Sequence, residues 1–194
     1  MMKLILASSS PRRAEVLADA GFAFEAVAAG VDESRCEGEL AEAYVRRLAE
    51  VKARAVAARI SPPAIVIAAD TVVVMNGEVL GKPASAEDAG RMLRRLSGRS
   101  HQVLTGLAVL KIPGGAARVE IETTQVTFTP LGEAEIEGYV ASGEPLGKAG
   151  AYAIQGRGGR FVARVEGCYF NVVGLPLARL YGILREMGWH ENRV

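Results

Sequence analysis

The segment AIVIAADTVVVM, Ala64 to Met75, constrains this chain more than any other. It is built of alanine and β-branched residues, and turn formers bound it: Pro62-Pro63 before and Asn76-Gly77 after. Such a run reads as a buried strand, and the Asn-Gly pair as a hairpin turn that sends the chain back on itself. One residue breaks the pattern. Asp70 is a carboxylate among neighbours that predict burial. An isolated buried carboxylate is costly, and the usual solutions are pairing with a cation, metal coordination or an active-site position at a strand end. Capping a nearby turn is the purely structural alternative.

The other elements follow from periodicity and punctuation. Lys3–Ala7 reads as a buried strand, and Pro11–Gly21 as a helix with Ser10 at the N-cap, Pro11 at the first position and Gly21 past the end. A short strand and a loop carrying Asp32 and Glu33 precede a long helix from about Leu40 to Ile60. Ser85–Ser97 is helical, with Ser85 as cap and Asp88 as the acid of a capping box. Two strands flank the Gly114-Gly115 turn, Gly132–Ser142 is a short helix, GRFVARVEGCYFNVVG supplies further strand, and Pro176–Met187 is a terminal helix. The order β-α-β-α-β-β-α-β-β-α-β-α predicts an α/β fold with a mixed sheet and helices packed on it. At 194 residues and 49% hydrophobic content, the chain fits one domain, 1–194, with a sizeable core. It has no internal repeat, low-complexity tract or linker.

Charge excludes whole classes of partner. Lys and Arg number 23 against 22 for Asp and Glu, so no broad basic field exists for nucleic acid and any anion binding is local. No stretch is apolar for long enough to span a bilayer, and the N-terminal MMKLILASSSPRR lacks the arrangement of a signal peptide. Cys36 and Cys168 have neither metal-finger spacing nor a disulfide framework, which predicts packing residues in a reducing cytoplasm.

Several residues depart from this plain pattern. Arg12 and Arg13 stand in the first turn of a helix, where the macrodipole already presents positive charge. Either they share an anion, phosphate above all, with the backbone N–H groups and the serines of LASSSPRR, or they pair with Glu15 or Asp19 on a solvated helix start. The stretch is not a P-loop. On the long helix Lys52 falls on the apolar stripe with Tyr44, Val45, Leu48 and Val56, so it either snorkels or meets a buried anion. Lys82 and Glu33 read in isolation as solvated loop residues. Gln155 lies among glycines in GAYAIQGRGGRF, where an amide could donate to and accept from a nucleobase edge, although glycine-rich loops are commonly turns. Two histidines, His101 and His190, are too scattered for a His-based zinc site, so a divalent ion would need carboxylate ligands and would be magnesium or manganese.

These residues sit in motifs that resemble the Maf family of nucleoside triphosphate pyrophosphatases: LASSSPRR, AADTVVV, GEVLGKP, LSGRSHQVLTG and YAIQGRGGRFVARVEGCYFNVVGLPL, in order along nearly the whole chain. The resemblance implies a Maf-type fold, related to the inosine triphosphate pyrophosphatases, with a mixed, curved central sheet and flanking helices in two lobes around a cleft. It implies hydrolysis of a nucleoside triphosphate to the monophosphate and pyrophosphate with Mg²⁺ or Mn²⁺. The phosphate-binding loop falls on Ser8, Arg12 and Arg13, the acidic loop residue on Glu33, the lysines on Lys52 and Lys82, and the catalytic base on Asp70. Asp70 and Glu33 are then the metal ligands. A homodimer is also implied.

The branch that prefers dTTP and UTP carries Arg, Thr and Gln where this chain has Arg12, Thr71 and Gln155, whereas the 7-methyl-GTP branch carries Trp, Gln and Glu. The physics agrees. A Trp face suits a cationic base and a Glu accepts from guanine N–H groups, while Gln155 can accept from the N3–H of uracil or thymine and donate to a ring carbonyl. Ala153 and Cys168 depart from the common pattern without touching an assigned role. The alternatives are a 7-methyl-GTP pyrophosphatase and a non-catalytic nucleotide-sensing regulator of septum formation.

Overall fold

The computed structural model describes residues 2–190. The buried run forms strand β3 (Ala64–Met75), in which every residue is buried except the half-buried Thr71. β3 pairs in parallel with β1 (Lys3–Leu6), which pairs in parallel with β2 (Phe24–Ala26). Asn76 and Gly77, both at positive φ (51° and 79°), turn the chain into β4 (Glu78–Leu80), antiparallel to β3, as a two-residue hairpin requires. With β5 (Ser100–Ile112), β6 (Ala117–Phe128) and β7 (Val162–Glu166) the seven-stranded sheet runs β2-β1-β3-β5-β6-β7, with β4 on β3. The helices are α1 (Pro11–Asp19), α2 (Ala41–Ala57), α3 (Ala86–Leu96), α4 (Glu133–Ala141), α5 (Tyr169–Val173) and α6 (Leu177–Glu186). The mixed α/β class is as the element order predicts.

One local expectation needs correction, and the two predicted serine caps, both in place, differ in their hydrogen bonding. In GRFVARVEGCYFNVVG only Val162–Glu166 is strand: residues 157–161 form a 3-10 turn and Tyr169–Val173 is helical. Gly167, at φ 125°, ends the strand, and buried Asn171 turns inward to donate its Nδ2 to the Val103 carbonyl and Thr124 Oγ1, both at 2.9 Å. Ser10 occupies the N-cap of α1 but makes no side-chain cap bond; Ser8 Oγ instead accepts the Ser10 N–H at 3.1 Å. Ser85 does cap α3, accepting from Asp88 N–H at 3.2 Å, while Asp88 Oδ2 reaches the N–H of Ala84 at 2.9 Å.

Two compact units share the chain. The first comprises the described residues up to Asp70, Thr105–Glu122 and those from Gly174 onward. Its core sets Ala49, Ala53 and Val56 of α2 against Ile5, Val66 and Ala108 of the sheet. Gly106 makes this possible, because a Cβ there would lie 2.2 Å from the Val45 carbonyl oxygen: the backbone of α2 rests directly on β5. The second unit, Thr71–Leu104 with Thr123–Val173, has a core rich in aromatics, among them Phe128, Tyr139, Tyr152 and Phe161. There His101, buried, shares a 2.9 Å hydrogen bond between its Nε2 and the Tyr152 hydroxyl, and its ring meets Phe128 edge-on. Cys36 and Cys168 are free thiols. Among the described residues no helix is long and apolar enough to cross a membrane.

Candidate active site

Helix α2 buries Val45, Leu48, Ala49, Lys52, Ala53 and Val56, so Lys52 is a cation on a core-facing stripe, only 7% exposed. It does not snorkel. Its Nζ lies 2.6 Å from Oδ1 of Asp70, itself buried, and 2.7 Å from Oε1 of Glu33. The buried anion that the sequence left open for Lys52, and the cation left open for Asp70, are thus each other. Glu33, read alone as a solvated loop acid, is drawn into the same group while keeping an exposed edge.

The turn between β1 and α1 supplies positive charge on the same unit. Arg13 is half-buried and leaves the helix start inward: its Nε donates to the Gly174 carbonyl at 2.8 Å and its Nη1 to Ser8 Oγ at 3.4 Å. Burial pulls the Arg13 guanidinium below its ordinary pKa, and the charges of Asp70 and Glu33 oppose that fall. Arg13 therefore lies in the field of both carboxylates. Arg12, half-buried in the first turn of α1, has no hydrogen-bond or ion-pair partner among the described residues, and it does not take Glu15 or Asp19.

Glu33 is placed by residues that the sequence did not single out as functional. The Tyr44 hydroxyl of α2 donates to the Glu33 carbonyl at 2.7 Å. Arg47, one turn on, grips Glu39 with two hydrogen bonds of 2.7 Å and reaches the Ser34 carbonyl at 3.1 Å. The Glu39 carboxyl is held down to about 2 by Arg47, so the clamp on the loop is ionic at neutral pH. The Tyr44 phenol is pushed up by burial and by the charges of Asp70 and Glu33, which keeps it a donor. Tyr44 offered a faint signal, an aromatic with a polar tip on the apolar stripe of a helix. Gly174, a backbone acceptor distant in sequence, offered none.

The remaining sequence candidates belong to the second unit. Thr71 is half-buried on β3, Lys82 is exposed just after β4, and Gln155 is exposed in the loop ahead of the 3-10 turn Arg157–Phe161. The structure thus joins Glu33, Lys52 and Asp70 directly, and Ser8 with Arg13.

Among the described residues no group of three or more His, Cys, Asp or Glu could hold a metal ion. Asp70 and Glu33 nevertheless converge on one ammonium, so two hard carboxylate ligands are near enough to share a cation. That is the donor set magnesium takes, with waters and substrate phosphates completing its shell. Chemically, the group offers a carboxylate base held beside fixed positive charge, a setting for hydrolysis of a polyanion.

Residues 3–187 match a family model described as "Maf-like protein". Among curated relatives the chain is 57% identical over 189 residues to a dTTP/UTP pyrophosphatase of Anaeromyxobacter sp. (strain Fw109-5), covering 96% of this chain and 90% of that one. It is 52% identical to a protein of the same description from Pelotomaculum thermopropionicum, covering 98% and 99%, and 50% identical to one from Escherichia coli O157:H7, covering 95% and 92%. Among solved structures a HAM1 protein from Coxiella burnetii superimposes with a TM-score of 0.51 at 14% identity, covering 96% of this chain and 100% of that one, which is a likeness of fold.

Proposed function

Because the chain belongs to the Maf family, we propose that it hydrolyses dTTP and UTP, with related modified pyrimidine nucleotides, to the monophosphate and pyrophosphate. The observation that carries this reading is the Glu33–Lys52–Asp70 group within the field of Arg13. The reaction asks for charge neutralisation along a triphosphate and a base for one water, and these residues supply both. Ser8, Arg12 and Arg13 bind phosphate oxygens; Lys52 and Lys82 offset charge on the departing pyrophosphate. Asp70 takes the proton of the attacking water as the water oxygen bonds to the α-phosphorus and the bond to pyrophosphate breaks. Lys52, 2.6 Å from Asp70 Oδ1, aims Asp70 for that transfer.

Asp70 and Glu33 would hold a Mg²⁺ or Mn²⁺ ion, which when bound supplies further charge neutralisation. Arg12, Thr71 and Gln155 select the base, a role resting on their motif positions and on the hydrogen-bonding capacity of an amide. We read residues 1–194 as one Maf-like domain, working on cytoplasmic nucleotides as a homodimer.

Pyrophosphate release from a panel of nucleoside triphosphates, with and without Mg²⁺ or Mn²⁺, tests the proposal. Turnover of dTTP and UTP well above purine and 7-methyl-GTP substrates is expected. In Asp70→Asn, kcat should fall about 100-fold or more, the range of a lost general base. A folded variant with near-normal kcat overturns the role of Asp70, and an inactive wild-type protein overturns the enzyme.

A further inference from the structure

Gln155 is an exposed side chain on a loop, and an exposed amide selects nothing unless its backbone is held. The second unit contains a device that holds it. Glu144, eleven residues earlier in the chain, turns its carboxylate onto the loop: Oε2 accepts the Arg157 N–H at 3.0 Å and Oε1 accepts the Gly158 N–H at 3.1 Å. Oε1 also accepts the Tyr139 hydroxyl at 2.9 Å, and that hydroxyl accepts the N–H of Ala153 at 3.1 Å. One carboxylate and one phenol therefore fix backbone N–H groups on both sides of Gln155, two residues before it and two and three after.

The packing around the clamp is close. Tyr139 is fully buried on α4, with its ring edge-on to Phe161 at 5.0 Å. A Cβ on Gly158 would lie 2.6 Å from the Tyr139 hydroxyl and 2.9 Å from the Ala153 carbonyl oxygen, and one on Gly159 would lie 2.5 Å from the carbonyl oxygen of Ile154. The glycines that made GAYAIQGRGGRF look like a simple turn are where the loop closes on this clamp. Glutamine at position 144 could not replace the acid. Its amide would turn an NH₂ donor toward a backbone N–H that now has an acceptor.

We infer that Glu144, seconded by Tyr139, is a positioning residue for base selection: it acts on the nucleobase through the backbone of Gln155 and touches neither the phosphates nor the attacking water. The inference rests on the reading of Gln155 as the residue that meets the base. Its consequence is a division of effect. Loss of the clamp should raise KM for dTTP and UTP and flatten the preference for them over purine triphosphates, leaving turnover of bound substrate nearly intact.

The test is a double-mutant cycle between Glu144→Gln and Gln155→Ala, read as kcat and KM for dTTP, UTP and dGTP. For Glu144→Gln we expect KM for dTTP to rise about 10-fold, the pyrimidine preference to fall by a similar factor and kcat to change less than about 3-fold. In the Gln155→Ala background the same substitution should add little, since it acts through a side chain already removed. An unchanged preference in Glu144→Gln, or full additivity with Gln155→Ala, overturns the clamp. An unchanged preference in Gln155→Ala overturns the reading beneath it, and so the two failures are distinct. If Glu144→Gln does not fold, Tyr139→Phe, which removes the hydroxyl and keeps the ring, is judged by the same criteria.

Discussion

Lys52 shows how much one side chain can disclose. A lysine on an apolar helical stripe and an aspartate inside an apolar strand each demanded a partner, so both were legible as anomalies. That they answer each other, 2.6 Å apart, was not, because sequence periodicity gives the face of an element and not what stands opposite it. Glu33 stood out only through the family resemblance, for the complementary reason: an exposed loop acid is ordinary until a cation is placed beside it. The pairing has an energetic signature. Lys52→Met leaves Asp70 buried without its counter-ion and should cost about 3 kcal/mol, whereas Lys52→Met/Asp70→Asn leaves only the solvent-exposed Glu33 without its partner and should recover most of that loss. Urea midpoints at constant slope measure both. Equal destabilisation in the single and double variants would mean that Lys52 supports the core through its stem alone.

At the scale of elements, α2 organises the candidate site. It carries Lys52, it holds the Glu33 loop through Tyr44 and Arg47, and it is seated on β5 at Gly106. Gly106→Ala must lift the helix from the strand, since its Cβ would stand 2.2 Å from the Val45 carbonyl oxygen. A loss of about 1–3 kcal/mol in stability is expected, with a fall in kcat because Lys52 moves with its helix. Tyr44→Phe separates loop positioning from helix seating. It removes only the bond to the Glu33 carbonyl and should lower kcat/KM about 5-fold with little change in the urea midpoint. A Gly106→Ala protein with wild-type kcat, or a Tyr44→Phe protein with wild-type kcat/KM, would detach α2 from the chemistry. The sequence did carry the signal of Gly106, a glycine inside a strand pattern, which marks close backbone approach. The short helix α5 was misread because VEGCYFNVV is rich in strand formers, and what bends it is long-range: Asn171 reaches back to Val103 and Thr124.

For the whole molecule, element order was enough for the α/β class, but the division into two cores did not follow from it and was hinted at only by the two lobes of the family resemblance, since each unit is assembled from separated segments and β3, β5 and β6 contribute residues to both. The aromatic core of the second unit sets a limit on stability in acid. His101 is buried against Phe128 and Tyr152, and burial pushes its pKa down to about 4 from the ordinary 6.5. Its Nε2 has the Tyr152 hydroxyl, but its Nδ1 has no partner among the described residues, so a protonated ring would carry one N–H without an acceptor. The Tyr152 phenol, pushed up by burial, offers no compensating negative charge. The sign follows. Between the folded and unfolded values the unfolded chain holds a proton that the folded chain refuses, so stability is full above the unfolded value and is lost as pH falls toward the folded one. The loss by about pH 4.5 should be about 2–3 kcal/mol. Urea unfolding of the wild type and of His101→Gln, whose amide does not titrate, from about pH 7.5 to about pH 4.5 isolates this contribution from that of the carboxylates. The wild type should lose stability more steeply by that amount; parallel curves would show that water or rearrangement accommodates the charged ring.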